Sequence, residues 1–234
     1  MSLFSAEQPA NVTLLSSEYE VFNFLNTHYL GFELEQLLAD LELVAVKGGF
    51  EWSRVLIGLT KARNLRLEHF FDQETKQDSL TMTRTLLTPS AGILALRHVE
   101  LFIPLRLQGQ GLSGQLIRPY YQQCRRANIR FLEVVASASA GGYAWARYGF
   151  AATRFTDVHN ILAGAAARGV PIDAVVELRA DLEAFYLKNS VEKPFPMRPW
   201  AELPFARTLL VGTTWYGILD LADPKQTLFF ESYL

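Results

Sequence analysis

The first long segment with a regular hydrophobic pattern lies between residues 17 and 47. Its apolar side chains recur at spacings of three and four, the period of an α-helix with one buried face. Gly31 interrupts the pattern, and Gly48 and Gly49 follow its end, so two helices are predicted. Residues 51–70 fit a helix or a strand, and a helix is favoured.

A strand pattern begins at residue 79. Thr and Leu alternate in part over 79–88, a turn signal follows at 88–92, and 93–103 is a second apolar run. These two runs predict an antiparallel hairpin. The segment 112–128 is then predicted as a helix that contains Pro119, where a kink is expected.

A nearly all-apolar strand is predicted over 130–136, of the kind that is buried on both faces. With the second hairpin strand and the helix it forms a βαβ unit, for which a right-handed crossover between parallel strands is expected.

The rest of the chain carries weaker patterns. Short helices or strands are predicted as follows: a helix over 139–147, an amphipathic helix over 172–188, an ordered proline-rich loop over 189–206, and strands over 209–211 and 214–221. The final TLFFESYL fits a strand buried in the monomer, which is favoured, or an edge strand through which a homodimer forms.

Composition and charge narrow the classes of partner. The chain has 234 residues, 22 basic and 24 acidic, and a net charge of −2, so no overall field draws it to nucleic acid or an anionic membrane. One cysteine, Cys124, excludes an internal disulfide and suits a reducing cytoplasm. No signal peptide, no membrane span and no metal site is predicted, so we expect a cytoplasmic protein.

The segment QGQGLSG, residues 108–114, stands between the hairpin and the following helix. A loop before a helix exposes backbone N–H groups at the positive end of the helix dipole, which together bind anions such as phosphate. The P-loop sequence Gly-Lys-Ser/Thr is absent. The dinucleotide pattern G-x-G-x-x-G is present at Gly109, Gly111 and Gly114, but Glu133 lies mid-strand and a hairpin precedes the loop, which does not suit a doubly wound sheet.

The loop resembles the acetyl-CoA motif Q/R-x-x-G-x-G/A of the GNAT superfamily of N-acetyltransferases. Gln108, Gly109, Gln110, Gly111, Leu112 and Ser113 match it, with Ser in the last small position. A second register that begins at Arg106 matches every letter but misplaces the helix. Pro104 resembles the proline before the family's loop, displaced by one residue.

A second similarity lies in GGYAWARYGF, residues 141–150. Members of the family often carry a short helix that ends in aromatic-x-x-x-Gly-Phe, which Trp145, Gly149 and Phe150 match. The resemblance covers about residues 79–156. It implies one α/β domain of the α+β kind, with a mixed, centrally splayed sheet flanked by helices. Residues 1–60 would be a helical elaboration, 157–207 an insertion and 208–234 the closing strands.

The resemblance implies that an amine attacks the thioester of acetyl-CoA directly in a ternary complex. The loop would hold the pyrophosphate, and a backbone N–H near Phe102 or Ile103 would stabilise the oxyanion. His98 and Glu100 are two residues apart on a strand and so share a face, and Glu100 is the candidate base. The candidate acids are Tyr143 and Tyr148.

Two departures leave alternatives open. The tyrosine that the family commonly uses as acid is Trp145 here, and an asparagine that many members carry is Ala138. The leading hypothesis is an N-acetyltransferase with an amine acceptor of unknown identity. A module that binds acyl-CoA without catalysis is the second, and a protein of the Rossmann type that binds NAD is the third.

Overall fold

The computed structural model describes residues 3–5, 7–50, 53–71 and 79–234, with the side chains of 138–140 left out. The chain divides into two compact units. The first comprises residues 1–132 and Leu234, and the second comprises residues 133–233.

The first unit is a sheet built from consecutive strands, with three α-helices. Its elements are β1 (Val12–Leu14), α1 (Glu18–His28), α2 (Leu34–Lys47), β2 (Ser53–Leu59), β3 (Leu65–Phe71), β4 (Leu80–Leu86), β5 (Ala95–Phe102), α3 (Leu112–Arg126) and the start of β6 (Phe131–Ala136). The strand order is β1-β2-β3-β4-β5. β1 joins β2 in parallel, and each later neighbour in this order is antiparallel.

The two N-terminal helices form as predicted. Ser17 and Glu20 make a reciprocal capping box at the start of α1. α2 ends before Gly49, which has a φ of +74° in the left-handed region that favours glycine. The three- and four-residue spacing of the apolar side chains was therefore sufficient to identify both helices.

The prediction of a helix over 51–70 is wrong, because the described part of this segment forms β2 and β3. Val55 and Ile57 on β2, and Leu65 and Leu67 on β3, are buried at every second position. This is the period of a strand with one face against the core. Glu51 and Trp52 lie outside the described residues.

The hairpin, the long helix and the following strand are confirmed as β4–β5, α3 and β6. Pro119 is buried inside α3. The carbonyl of Leu94 accepts the N–H groups of Arg130 and Phe131 at 3.0 and 3.2 Å. The chain therefore returns from α3 to begin β6 beside the start of β5.

The second unit combines a small set of strands with helices of varied length. Its elements after β6 are α4 (Ala138–Arg147), β7 (Ala151–Ala152), α5 (Phe155–Ala163), α6 (Ile172–Lys188), β8 (Phe195–Pro196), α7 (Arg198–Ala201), α8 (Ala206–Leu210), β9 (Trp215–Asp220) and α9 (Pro224–Glu231). Its strand order is β6-β9-β7-β8, and β7 is antiparallel to both of its neighbours. The helices predicted at 139–147 and 172–188 and the strand at 214–221 are confirmed.

Two strand predictions near the C-terminus are wrong. Residues 209 and 210 belong to α8, and most of TLFFESYL lies in α9. Asp223 accepts the N–H groups of Lys225 and Gln226, and Pro224 occupies the first turn, so the chain is committed to a helix there. This segment therefore supplies no edge strand for a homodimer.

The coarse fold class is confirmed: helices and a mostly antiparallel open sheet make a mixed α and β protein. None of the described helices is long and apolar enough to cross a lipid bilayer. The division into a core over residues 79–156 and an insertion over 157–207 stays a prediction.

Candidate functional site

The glycine loop owes its shape to two residues in the left-handed region. Gly109 has a φ of +78° and Gly111 a φ of +73°, where a residue with a Cβ is strained. A Cβ built at either position would meet no atom within 4 Å. These glycines therefore serve the backbone turn rather than close packing, and the space beside them is open to a ligand.

The loop runs directly into the N-terminus of α3. Gly111 is the N-cap residue and, as a glycine, it makes no side-chain capping bond of its own. The first bond along the helix joins the N–H of Gln115 to the carbonyl of Gly111 at 3.3 Å. The turn that precedes it, from Leu112 to Gly114, lies at the positive end of a 15-residue helix.

The side chains of two glutamines form hydrogen bonds to backbone carbonyls within the loop segment. The Gln108 side chain donates to the carbonyl of Ile103 at 2.9 Å, and the Gln110 side chain donates to the carbonyl of Arg106 at 3.0 Å. The first bond spans a single 3₁₀ turn, Leu105–Leu107, that follows the buried Pro104, and the second ends on a carbonyl within that turn. The predicted loop residues from 103 to 114 therefore form one continuous structure, in which the glutamine amides hold the backbone.

β5 carries a β-bulge before this loop. Thr83 lies opposite Glu100, but Arg84 lies opposite His98, so Val99 is an extra residue. His98 is 2% exposed, whereas Glu100 is exposed. The prediction that His98 and Glu100 share a face is wrong, because the bulge interrupts the two-residue alternation between them.

The bulge also marks a change in exposure along β5. The first four residues of the strand are buried or half-buried, and the last four are exposed or half-exposed, including Val99 at 38% and Phe102 at 42%. The candidate base Glu100 and the oxyanion candidates near Phe102 thus lie on the solvent-accessible half of the strand.

A buried polar cluster lies between the sheet and α3, and sequence reasoning missed it. His69 on β3 and the hydroxyl of Tyr120 on α3 are hydrogen-bonded at 2.6 Å. The guanidinium carbon of Arg84 on β4 lies 5.7 Å from the centroid of the Tyr120 ring. Arg84 is fully buried. The charge of Arg84 within the apolar run SLTMTRTLLT was the one signal that could have pointed to this cluster.

Burial keeps the side chains of His69, His98 and Cys124 neutral, whereas Arg84 stays charged. Burial, helped by the nearby charge of Arg84, lowers the pKa of His69 to about 3 and that of His98 well below its ordinary value. Burial raises the pKa of the Cys124 thiol. Arg84 keeps its charge, although burial lowers its pKa to about 10. None of the neutral groups can serve as a base or nucleophile that solvent reaches.

Tyr143 and Tyr148 lie in the second unit, on α4 and directly after it. The guanidinium carbons of Arg147 and Arg207 lie 5.7 and 5.0 Å from the Tyr143 ring centroid. The Tyr148 ring packs against Phe230 and Tyr233 with centroids 5.8 and 5.5 Å apart.

Trp145, the residue compared with a tyrosine of the GNAT pattern, lies on α4. Its ring packs edge-on against Phe150 at 5.2 Å. Gly149 has a φ of +91° and ends the helix, while the N–H of Phe150 bonds to the Trp145 carbonyl at 3.2 Å. The aromatic-x-x-x-Gly-Phe segment thus terminates a helix, with Phe150 buried and Trp145 half-buried against it.

Within the described ranges, no three His, Cys, Asp or Glu side chains are grouped to hold a metal ion. No family model and no curated protein matches the sequence. The chain's own residues are therefore the basis for inferring its function.

Proposed function

We propose that this protein is an N-acetyltransferase that binds acetyl-CoA at the glycine loop and transfers the acetyl group to an amine. The observation that carries the proposal is the loop itself: two left-handed glycines with open space beside them lead into a helix N-terminus whose N-cap residue is a glycine. That arrangement offers backbone N–H groups to an anion without a basic side chain.

A pyrophosphate fits this site chemically. The segment from Gln108 to Ile117 contains no acidic side chain that would repel it, and no lysine or arginine either. Gln108 and Gln110 are engaged with backbone carbonyls, so binding does not need them as ligands. The attraction would come from the first-turn N–H groups and the helix dipole.

The strand context favours acetyl-CoA over a dinucleotide. A doubly wound sheet places the dinucleotide loop after its first parallel strand. Here the loop follows β5, the last strand of the antiparallel series β2-β3-β4-β5. The order hairpin, loop, helix, strand, short helix and Gly-Phe agrees with the GNAT pattern. The bulge in β5 supports the splayed strand that this pattern requires.

The proposed chemistry is a direct acyl transfer. The lone pair of a neutral amine attacks the thioester carbon, a C–N bond forms, and the C–S bond breaks. The second N–H proton of the attacking amine passes to the leaving sulfur, so that CoA is released as the thiol. Glu100 accepts the proton that the ammonium form of the acceptor must lose, since its carboxylate is exposed beside the loop strand. A backbone N–H near Phe102 or Ile103 would face the oxyanion.

A second candidate function is supported by the second unit. Trp145 has no acidic proton to give a thiolate, and the ring of Tyr148 is packed among other rings. An acyl-CoA-binding module without turnover needs neither a base nor an acid. Tyr143, which contacts two arginines, remains the proposed acid if turnover occurs.

Turnover separates the two functions. The purified protein is mixed with acetyl-CoA and a panel of primary amines, and free CoA thiol is followed by its reaction with a disulfide dye. The proposal predicts thiol release that depends on both an amine and the protein. Binding of acetyl-CoA without release by any amine would favour the module, and absence of binding would exclude both.

A further inference from the structure

Arg84 is a charged side chain that is fully buried. It lies on β4 with no exposed surface. Its Nη1 group donates to the carbonyl of Thr83 at 2.9 Å and to the carbonyl of Glu100 at 2.7 Å. No described carboxylate forms an ion pair with it, and its Nε and Nη2 groups have no hydrogen-bond partner among the described residues. A buried charge of this kind is weak evidence for stability.

The two carbonyls that Arg84 holds belong to the pair at which the register of β4 and β5 changes. Thr83 pairs with Glu100, and the next pair is Arg84 with His98. A bulge disrupts the ladder and leaves an extra residue unpaired. The guanidinium bridges both strands at this point, where the regular backbone ladder is interrupted.

The bulge decides which way Glu100 points. With regular alternation, Glu100 would share the face of His98, which is buried. With Val99 inserted, Glu100 is exposed instead. Arg84 contacts the backbone of the redirected residue itself, through the Glu100 carbonyl.

Among the buried side chains Arg84, His69 and His98, only Arg84 is charged. The ring face of Tyr120 lies 5.7 Å from the guanidinium carbon, and His69 is hydrogen-bonded to the Tyr120 hydroxyl. His69 and His98 are neutral at pH 7 because their pKa values are strongly lowered. Arg84 therefore does not compete with a second cation for the two carbonyls.

We propose that Arg84 is a positioning residue for acyl transfer, which holds the β-bulge of β5 so that the Glu100 carboxylate faces the acceptor amine. This inference rests on the proposed function, because it assigns Glu100 as the base. Whether Arg84 holds the β-bulge can be tested without an acceptor amine.

The first test measures the bulge directly. Hydrogen exchange of peptides that cover residues 96–103 is compared in the wild type, Arg84→Met, Arg84→Lys and Ile57→Ala. Ile57 is fully buried on β2, two strands away from β4, so its truncation controls for general destabilisation. We expect Arg84→Met to raise exchange at 96–103 at least tenfold more than at β2 and β3. Arg84→Lys should restore protection, since an ammonium can donate to both carbonyls.

The second test measures the kinetic consequence. We expect Arg84→Met to lower kcat at least tenfold and to leave KM for acetyl-CoA within about threefold, because the glycine loop is unchanged. Arg84→Lys should recover most of kcat. A purely structural role would lower the amount of folded enzyme in Arg84→Met and Ile57→Ala alike, without a split between kcat and KM.

The outcomes separate this inference from the proposed function. If the wild type turns over no amine, acyl transfer fails, and the exchange data alone still decide whether Arg84 holds the bulge. If the wild type is active and Arg84→Met keeps both kcat and protection at 96–103, the inference is overturned while acyl transfer stands. If Arg84→Met does not fold, Arg84→Lys decides: wild-type protection and rate support the inference, and loss of both overturns it.

Discussion

His69 on β3 and Tyr120 on α3 form a 2.6 Å hydrogen bond that ties the sheet to the helix that begins at the glycine loop. Both side chains are buried, and the T-shaped contact of their rings, at 5.8 Å, adds to the same tie. The helix that carries the proposed anion site is thus anchored to the sheet through a histidine that must stay neutral.

Acid should weaken this anchor. The pKa of His69 falls from an ordinary 6.5 to about 3 on folding, mainly by burial and then by the charge of Arg84. The unfolded chain therefore binds the extra proton below pH 6.5, so this contribution to stability is intact above pH 6.5 and is lost as the pH falls toward 3. The pKa of His98 is lowered as well, so His98 also makes the folded protein less stable as the pH falls. We expect the buried His69 to lower the unfolding free energy by roughly 1–2 kcal/mol between pH 7.5 and 5.5, and His98 to lower it further.

Urea titrations at the two pH values check this. His69→Gln cannot gain a proton and should reduce the pH-dependent loss. His159→Gln, at an exposed position, is the matched control and should leave the loss unchanged. An equal loss in wild type and His69→Gln would show that the buried imidazole is not the source.

Two adjacent glycines of α4 should respond to alanine in opposite ways. A Cβ on Gly142 would overlap the Leu210 carbonyl and the Thr213 hydroxyl, whereas one on Gly141 would make only ordinary contacts at 3.7 Å or more. Gly142→Ala should lower the unfolding free energy by about 1–3 kcal/mol through overpacking. Gly141→Ala should raise it by up to about 1 kcal/mol through helix propensity. Thermal unfolding of both variants measures the difference, and equal effects would contradict the packing described here.

The buried thiol should be inert in the native protein. Cys124 has no exposed surface, and burial raises its pKa, so little thiolate exists at pH 8. A disulfide dye should titrate no thiol in native protein within minutes and one thiol per chain in guanidinium. Rapid native labelling would mean that the core beneath α3 opens. This result also matters for turnover assays, because an inert Cys124 contributes no background.

Glu100 should control the rate of the proposed reaction. Glu100→Gln removes the base but keeps the size of the side chain, so kcat should fall by roughly 10²-fold or more with KM for acetyl-CoA little changed. Glu68→Gln is a suitable control, since Glu68 lies on β3 and forms an ion pair with Arg66 at 2.9 Å. Initial rates of thiol release measure both variants. Equal kcat values for wild type and Glu100→Gln would remove Glu100 from the mechanism.

The helices and strands whose apolar side chains recur at one regular spacing were predictable from the sequence. The helices α1, α2, α3 and α6 and the β4–β5 hairpin each have a regular apolar spacing. β2 was missed because RVLIGL is almost continuously apolar, and such a short run is consistent with either period. α9 was missed although Asp223 and Pro224 form a recognisable helix start, since TLFFESYL also has the composition of a strand.

Some parts of the candidate site were likewise predictable from the sequence, and others were not. The glycine loop was identified because Gly109 and Gly111 have few other uses in a short segment. The bulge at Val99 was not predictable, because it depends on the pairing of two strands and not on local pattern. Arg84 was missed because hydropathy assigns an arginine to the surface, and only tertiary contacts reveal a buried one.

Binding of acetyl-CoA at the glycine loop is the central claim, and calorimetric titration tests it most directly. Wild type, Gly111→Asn and Gly111→Asp are each titrated with acetyl-CoA and with NAD. Asn tolerates the left-handed conformation and matches Asp in shape, so the pair isolates a negative charge at the N-cap of α3. The account predicts that wild type and Gly111→Asn bind acetyl-CoA, that Gly111→Asp binds it at least about tenfold more weakly, and that NAD does not bind. Absence of acetyl-CoA binding to the wild type at millimolar concentration, or equal binding by the Asn and Asp variants, would contradict it.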